Sequence, residues 1–179
     1  MDVRTLCLGI LSLGDATGYE IKKLVADGAF SFFSEASYGS IYPALTKLMD
    51  EGLVTCREET QDGRPDKKIY TLTDAGRKQL TQSLKRSPGP DKQRSEFLAA
   101  LLFAEAVTPD RVGELVEDRV VHHRERIATL EAMLDEDLTP AGRFVLEYGI
   151  TIQKAALQFL RNEGSDLLSA VETQDAAAE

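Results

Sequence analysis

The stretch from Ser37 to Val54 constrains the fold more than any other part of the chain, because it holds the start and end signals of one short helix. Pro43 lacks an amide hydrogen and fits only a first helical turn, which places the helix start near residues 38–40. Gly52 favours the left-handed conformation that ends helices. One face should pack against a core, because apolar residues recur there at helical spacing: Ile41, Leu45, Leu48 and Met49.

The first turn of this predicted helix is unusually polar and aromatic. It carries Ser40 and the tyrosines Tyr38 and Tyr42, and its free amides and dipole favour an anion such as a phosphate. A DNA recognition helix has this composition. An ordinary amphipathic helix with a polar outer face has it too, so the neighbouring elements must decide between the two interpretations.

Two helices are predicted before this stretch. Apolar residues recur at helical spacing from Val3 to Leu11, and Gly14 can end that helix. Thr17 and Glu20 have the spacing of a capping box, which predicts a second helix that Gly28 closes. The loop that follows contains phenylalanines that we expect to fill the core, namely Phe30, Phe32 and Phe33.

A β-hairpin and a helix are predicted after Gly52. Segments 53–59 and 68–72 are rich in β-forming residues and flank a turn-forming segment, 61–66. Thr73 can cap a helix from Asp74 to about Arg86. Three helices, a hairpin and a further helix make a winged helix-turn-helix, so the fold class is mainly α with a small β-hairpin wing.

The charge distribution permits this interpretation. The net charge is −9, but residues 1–90 hold 12 basic and 12 acidic residues, whereas residues 91–179 hold 9 and 18. Residues 64–86 form a basic strip, which can contact phosphates. The acidic pair Glu58–Glu59 is expected beside the wing, where it weakens the field of these cations.

The second half is predicted to be helical. The helix-breaking segment 87–90 separates a winged-helix domain, 1–87, from a helical domain, 88–172, and residues 173–179 are expected to be a disordered tail. A short apolar helix is predicted over 94–104. Two long helices begin with a Thr-Pro pair, Pro109–Asp137 and Pro140–Glu163, and Gly164 should end the second.

The first long helix has a coiled-coil-like seam. The helical domain is too small to cover a helix of this length by itself. We therefore expect a partner chain to cover the seam. The second long helix should be buried on more than one side, with a stripe from Val145 to Phe159. The seam residues, predicted to mediate dimerisation, are Val116, Val120, His123, Ile127, Leu130 and Leu134.

Several segments together resemble the PadR family of bacterial transcriptional regulators. They are GYEI at 18–21, SYGSIYPAL at 37–45, GLV at 52–54, GRP at 63–65 and KIYTLTDAG at 68–76. The helical second half is similar to the C-terminal dimerisation region of the longer members. The resemblance implies a homodimeric, usually repressing regulator that binds a pseudo-palindromic double-stranded DNA operator, often under the control of a small aromatic or lipophilic effector.

The resemblance also implies roles for particular residues. The recognition helix and the residue before it are expected to touch bases or sugar-phosphate, the helix before it to hold backbone phosphate, and the wing to contact phosphates non-specifically. The implied DNA-binding residues are Tyr19, Ser37, Tyr38, Ser40, Tyr42, Pro43, Lys47, Arg64, Lys67 and Lys68.

Other chemistry finds little support in the sequence. Neither a phosphate-cradling glycine loop nor a nucleophile elbow occurs, so we expect no enzyme and no cofactor. His122 and His123 project about 100° apart on a helix, which argues against a metal site. The absence of a membrane-length apolar run and of a signal peptide predicts a cytoplasmic protein. A protein-interaction module and a small-molecule binding protein remain alternatives to a DNA-binding regulator.

Overall fold

The computed structural model describes residues 1–26, 38–61, 64–90, 94–134 and 138–178. Its residues group into two compact units, Met1–Pro90 and Asp91–Glu179. The predicted phenylalanine loop, Gly28, the tip of the predicted hairpin turn at Asp62–Gly63 and the acidic segment 135–137 lie outside the described residues. The described elements are mainly helical, with one small antiparallel sheet, as the sequence predicts.

Three helices form the core of the first unit. Helix α1 spans Val3–Leu13, α2 spans Gly18–Ala26, and α3 spans Ile41–Asp50 after a 3₁₀ turn at Tyr38–Ser40. The predicted capping box is confirmed, because the Glu20 amide donates to Thr17 Oγ1 at 3.1 Å and the Thr17 amide donates to Glu20 Oε2 at 2.7 Å.

The predicted face of α3 packs with one exception. Ile41, Leu45 and Leu48 are fully buried, whereas Met49 is partly exposed and Ala44 takes a buried position on the same face. Gly52 has φ +70°, the left-handed conformation expected after the helix.

A three-stranded sheet forms the wing. Strand β2, Val54–Gln61, and strand β3, Arg64–Leu72, pair antiparallel, so the strands are longer and the turn shorter than predicted. A two-residue strand that the sequence did not predict, β1 at Ala16–Thr17, pairs with the other edge of β3 and gives the order β1-β3-β2. The wing is therefore hydrogen-bonded directly to the residues that cap α2.

Helix α4, Asp74–Leu84, closes the first unit. Its predicted cap is confirmed, because Thr73 Oγ1 accepts from the Gly76 amide at 3.0 Å. The Thr73 amide also donates to the Leu53 carbonyl at 3.1 Å, which ties the start of α4 to the start of β2.

The second unit is built on two long helices. Helix α5 is shorter than predicted, Glu96–Leu101, and is followed by a 3₁₀ turn at Ala104–Ala106. Helix α6 spans Pro109–Met133 and begins at the predicted Thr108 cap. Helix α7 spans Pro140–Ala178 without a break.

The prediction that Gly164 ends α7 is wrong, and residues 173–178 lie in the helix rather than in a tail. A Cβ at Gly164 would lie 3.1 Å from Val116 Cγ1 of α6, so this glycine permits close packing of the two helices.

The α6 seam is covered within the chain. Val116, Val120, Ile127 and Leu130 are buried, and Val120 and Ile127 cluster with Leu157 of α7. His123 and Leu134 are half-buried, and His123 Nδ1 lies 2.5 Å from Gln153 Oε1. Within the chain α7 therefore returns along α6 and packs on part of the seam, while the role of these residues in dimerisation stays a prediction.

Candidate nucleic-acid interface

The first turn of α3 presents polar and aromatic groups to the surface. Ile41 anchors this turn in the core, while Tyr42 keeps 48% of its surface exposed and Pro43 and Lys47 are exposed. Ser40 is half-buried at the cap position. The buried anchor and the exposed neighbours give α3 a fixed outer face, which is the requirement for a recognition helix.

The first turn of α2 lies directly beside that of α3. Gly18 begins α2, and a Cβ placed on it would lie only 2.6 Å from Cε1 of the Tyr42 ring. The next residue, Tyr19, is 64% exposed. The starts of two helices and two exposed tyrosines are therefore brought together on one part of the first unit, where the helix dipoles favour an anion such as a phosphate.

An ion pair joins the wing to α2. Lys67 Nζ of β3 lies 3.7 Å from Glu20 Oε1, and the other oxygen of this carboxylate accepts from the Thr17 amide and hydroxyl. Hydrogen bonds from the Thr17 amide and hydroxyl, and then the charge of Lys67, lower the pKa of Glu20. Lys67 is thus held next to the start of α2.

Lys68 lies on the opposite face of β3, because successive residues of a strand alternate between faces. Its Nζ lies 3.4 Å from Glu58 Oε1, the residue directly across from it on β2. The expectation that Glu58 lies close to a basic wing residue is therefore confirmed. The two lysines therefore do not form a single patch, because successive side chains of β3 point to opposite faces.

A second ion pair fixes the base of the wing. Arg57 Nη1 of β2 donates to Asp15 Oδ2 at 2.7 Å, and this hydrogen bond is the main cause of the lowered pKa of Asp15. Asp15 directly precedes β1, so both the strand pairing and this ion pair connect the wing to the residues between α1 and α2.

The predicted DNA-binding residues are only partly visible in this arrangement. Ser37 and the side chains of Tyr38 and Arg64 lie outside the described part of the chain. The structure brings Tyr19, Tyr42 and Lys67 to neighbouring positions and places Lys68 on the other face of the wing strand. No spacing or propensity in the sequence indicates the position of Gly18 at this site, because its contact with Tyr42 joins residues far apart in sequence.

The outer face of α7 carries an apolar stripe. Opposite the side chains that pack on α6, it exposes Ile152 at 50% and Phe159 at 64%. The predicted burial of this helix on more than one side does not extend to this face, which no described residue covers. The stripe consists of Phe144, Val145, Tyr148, Ile152, Ala155 and Phe159.

Among the described residues, no group of three or more His, Cys, Asp or Glu side chains is arranged to hold a metal ion. No helix in the described ranges combines the length and apolar character needed to cross a bilayer.

The fold and the exposed groups define a winged helix-turn-helix protein. Residues 7–82 match the transcriptional regulator PadR-like family, and residues 93–162 match the virulence activator alpha C-terminal family. A curated relative, the negative transcriptional regulator PadR of Bacillus subtilis (strain 168), is 31% identical over 135 residues, which cover 75% of this chain and 74% of the relative. The chain therefore belongs to the PadR-like family of transcriptional regulators.

Solved structures extend the similarity over both units. The protein smu.1604c of Streptococcus mutans UA159 is 32% identical, with a TM-score of 0.85 over 92% of this chain and 99% of that chain. Bacillus subtilis PadR in complex with operator DNA is 27% identical, with a TM-score of 0.75 over 92% and 98% of the two chains. The same regulator in complex with p-coumaric acid is 26% identical, with a TM-score of 0.67 over 95% and 98%.

Proposed function

We propose that this chain is a homodimeric, sequence-specific DNA-binding repressor of transcription that works in the cytoplasm and is released from its operator by a small lipophilic or aromatic effector. The observation that carries the proposal is the exposed first turn of α3, with Tyr42 beside the start of α2. Family membership and the similarity to a repressor solved with operator DNA support it.

In the proposed complex α3 enters the major groove. Tyr42, Ser40 and Tyr38 contact bases or the adjoining backbone, with Ser37, Pro43 and Lys47 at the edges of that contact. Tyr19 at the start of α2 holds a phosphate, because a helix N-terminus favours an anion. The wing residues Arg64, Lys67 and Lys68 contact flanking phosphates without reading sequence.

To contact phosphates, Lys67 and Lys68 must exchange their carboxylate partners for phosphates. Each is paired with a carboxylate of its own chain, Glu20 or Glu58. Exposed ion pairs contribute only about 0–1 kcal/mol, so a phosphate can replace the carboxylate at little cost. The net gain from each wing lysine is then smaller than that of an unpaired cation.

We assign the dimer contact to the outer stripe of α7. Four residues of the α6 seam are already buried within the same chain and offer little surface to a partner, namely Val116, Val120, Ile127 and Leu130. The stripe from Phe144 to Phe159 is exposed, apolar and continuous along one helix. A dimer carries two recognition helices, which in this proposal read half-sites about 34–36 Å apart on one duplex.

The effector part of the proposal rests on similarity to a regulator solved with p-coumaric acid. The same acid is therefore the first probe. Added to a preformed protein–DNA complex, it should lower the affinity for operator, whereas an aliphatic acid of similar charge should not. An unchanged affinity would exclude p-coumaric acid and leave a different aromatic or lipophilic effector to be sought.

Fluorescence anisotropy tests DNA binding directly. The protein is titrated into a duplex selected from a random library by the protein itself, and into a scrambled duplex, each at two salt concentrations. We expect the selected duplex to bind more tightly and to retain more binding at the higher salt. Equal, weak and salt-insensitive binding to both duplexes would refute a sequence-specific regulator and favour a protein-interaction module.

Two variants separate the roles within the interface. Replacing Lys67 and Lys68 by alanine should weaken binding to both duplexes alike and reduce the slope of log K against log salt by at most about 2. Tyr42→Ala should instead reduce the ratio of the two affinities. If Tyr42→Ala weakened binding to both duplexes equally, Tyr42 would contact the DNA backbone and would not read the sequence.

A further inference from the structure

Gly18 is the first residue of α2 and lies under the ring of Tyr42. A Cβ at Gly18 would lie 2.6 Å from Cε1, 3.2 Å from Cζ and 3.3 Å from Cδ1 of that ring. Because three ring carbons lie this close to the Cβ position, the ring occupies the space that a side chain at residue 18 would need. No other residue type leaves room for the ring in this position.

The backbone conformation does not itself require glycine here. Among the described glycines only Gly52 has a φ in the left-handed region, so Gly18 has a conformation that alanine also adopts. Alanine would moreover favour the helix by up to about 1 kcal/mol if the site were open. The contact with Tyr42 is therefore the structural reason for the glycine.

The outer side of the Tyr42 ring is open. Tyr42 keeps 48% of its surface exposed, whereas Ile41 and Ala44 of the same helix are buried in the core. Because the interior is closely packed, a ring displaced by a side chain at position 18 has space only on its outer side and must rotate outward.

We infer that Gly18 is a positioning residue for DNA recognition, which sets the angle at which the Tyr42 ring leaves α3 and enters the groove. The inference rests on the proposed function, because it assigns to Gly18 an effect that passes through the reading of DNA by Tyr42. Gly18 is not expected to supply binding energy through a side chain. It determines which DNA the tyrosine fits.

A double-mutant cycle on the full chain tests this inference. The ratio of affinities for the selected and scrambled duplexes is measured for wild type, Gly18→Ala, Tyr42→Ala and the double variant. We expect each single variant to reduce the ratio about tenfold, within the range for one lost base contact. The double variant should lose no more than Tyr42→Ala alone, because Gly18 has no effect once the ring is absent.

The matched control is Gly9→Ala in the middle of α1, where a Cβ would meet nothing within 4 Å. It should leave the affinity ratio unchanged. A ratio that falls further in the double variant than in Tyr42→Ala would overturn the inference, since Gly18 would then act without Tyr42, for example by admitting the DNA backbone. An unchanged ratio in Gly18→Ala would overturn it as well.

A DNA-free measurement distinguishes failure of the inference from failure of the proposed function. Tyrosine-labelled protein is compared by NMR, with Tyr42 assigned from the spectrum of Tyr42→Phe. Gly18→Ala should shift the ring resonances of Tyr42 and leave those of Tyr148, in the second unit, unchanged. If wild type showed no preference for any DNA, a shifted Tyr42 ring would still support the packing, whereas the proposed function would fail.

Discussion

Gly76 provides the sharpest test of the packing between the wing and α4. It lies in the first turn of α4, and a Cβ there would overlap the carbonyl oxygen of Leu53 and lie 2.7 Å from Leu72 Cδ1. That same carbonyl accepts from the Thr73 amide. Since the obstacle is backbone, Gly76→Ala must push α4 away from the start of β2.

The expected cost follows from the interactions that this shift disturbs. The Thr73 cap is worth about 1 kcal/mol, the hydrogen bond to Leu53 about 1 kcal/mol, and overpacking costs about 1–3 kcal/mol. Alanine recovers up to about 1 kcal/mol through its helix propensity. We therefore expect a net loss of at least about 2 kcal/mol, whereas propensity alone predicts a gain.

Native-state hydrogen exchange measures this loss in the full chain. A destabilisation of about 2 kcal/mol lowers the protection of globally exchanging amides in α1 and α3 roughly 30-fold. Amides of α6, in the other unit, serve as an internal reference, and Gly9→Ala should keep or raise protection in α1. Unchanged or increased protection in Gly76→Ala would refute the packing argument.

Three further predictions concern the wing, the dimer and the buried thiol. Glu58→Gln removes the carboxylate next to Lys68 and should tighten binding to scrambled DNA a few-fold in anisotropy, whereas Glu131→Gln, an equal charge change in the second unit, should not. Ile152→Glu should convert the dimer to a folded monomer in analytical ultracentrifugation, and Gln158→Glu, at an exposed position on the flank of α7, should not. Burial raises the pKa of Cys7 from 9.0 to about 11, so the folded thiol should resist alkylation near pH 8 in mass spectrometry and react once unfolded. Because the unfolded thiol ionises first, Cys7 should make stability fall as the pH rises above about 9.

Local chemistry made much of the first unit predictable. The capping box at Thr17, the cap at Thr73 and the positive φ of Gly52 each depend on groups within a few residues of one another, and all three are confirmed. The order of elements then indicated a winged helix. Strand β1 was missed because two residues carry no periodicity, and only pairing with distant β3 makes them a strand.

The candidate site was predictable in composition but not in arrangement. Helical spacing identified Tyr42 as an outward-facing residue of α3, and a β-forming segment predicted the strand that carries Lys67 and Lys68. The contact of Tyr42 with Gly18 and the pairing of Lys67 with Glu20 join segments brought together only by folding. A single sequence contains no signal for such contacts, because propensity and spacing describe one element at a time.

The residues of the α6 seam were likewise predictable from the sequence, but the helix that covers them was not. Two variants, Val120→Asp and Ile152→Glu, test which surface forms the dimer contact. The spacing of the seam residues correctly marked an apolar face but did not say which helix covers it, and α7 of the same chain, joined by a short connection, has a far higher effective concentration than a partner. Val120 is 4% exposed in that contact, so Val120→Asp places a charge without a partner in the core and should unfold the second unit in circular dichroism. Ile152→Glu should leave helicity intact and abolish only association. If instead Val120→Asp gave a folded monomer, a partner chain would cover the α6 seam after all, and the assignment of the dimer contact to α7 would be wrong.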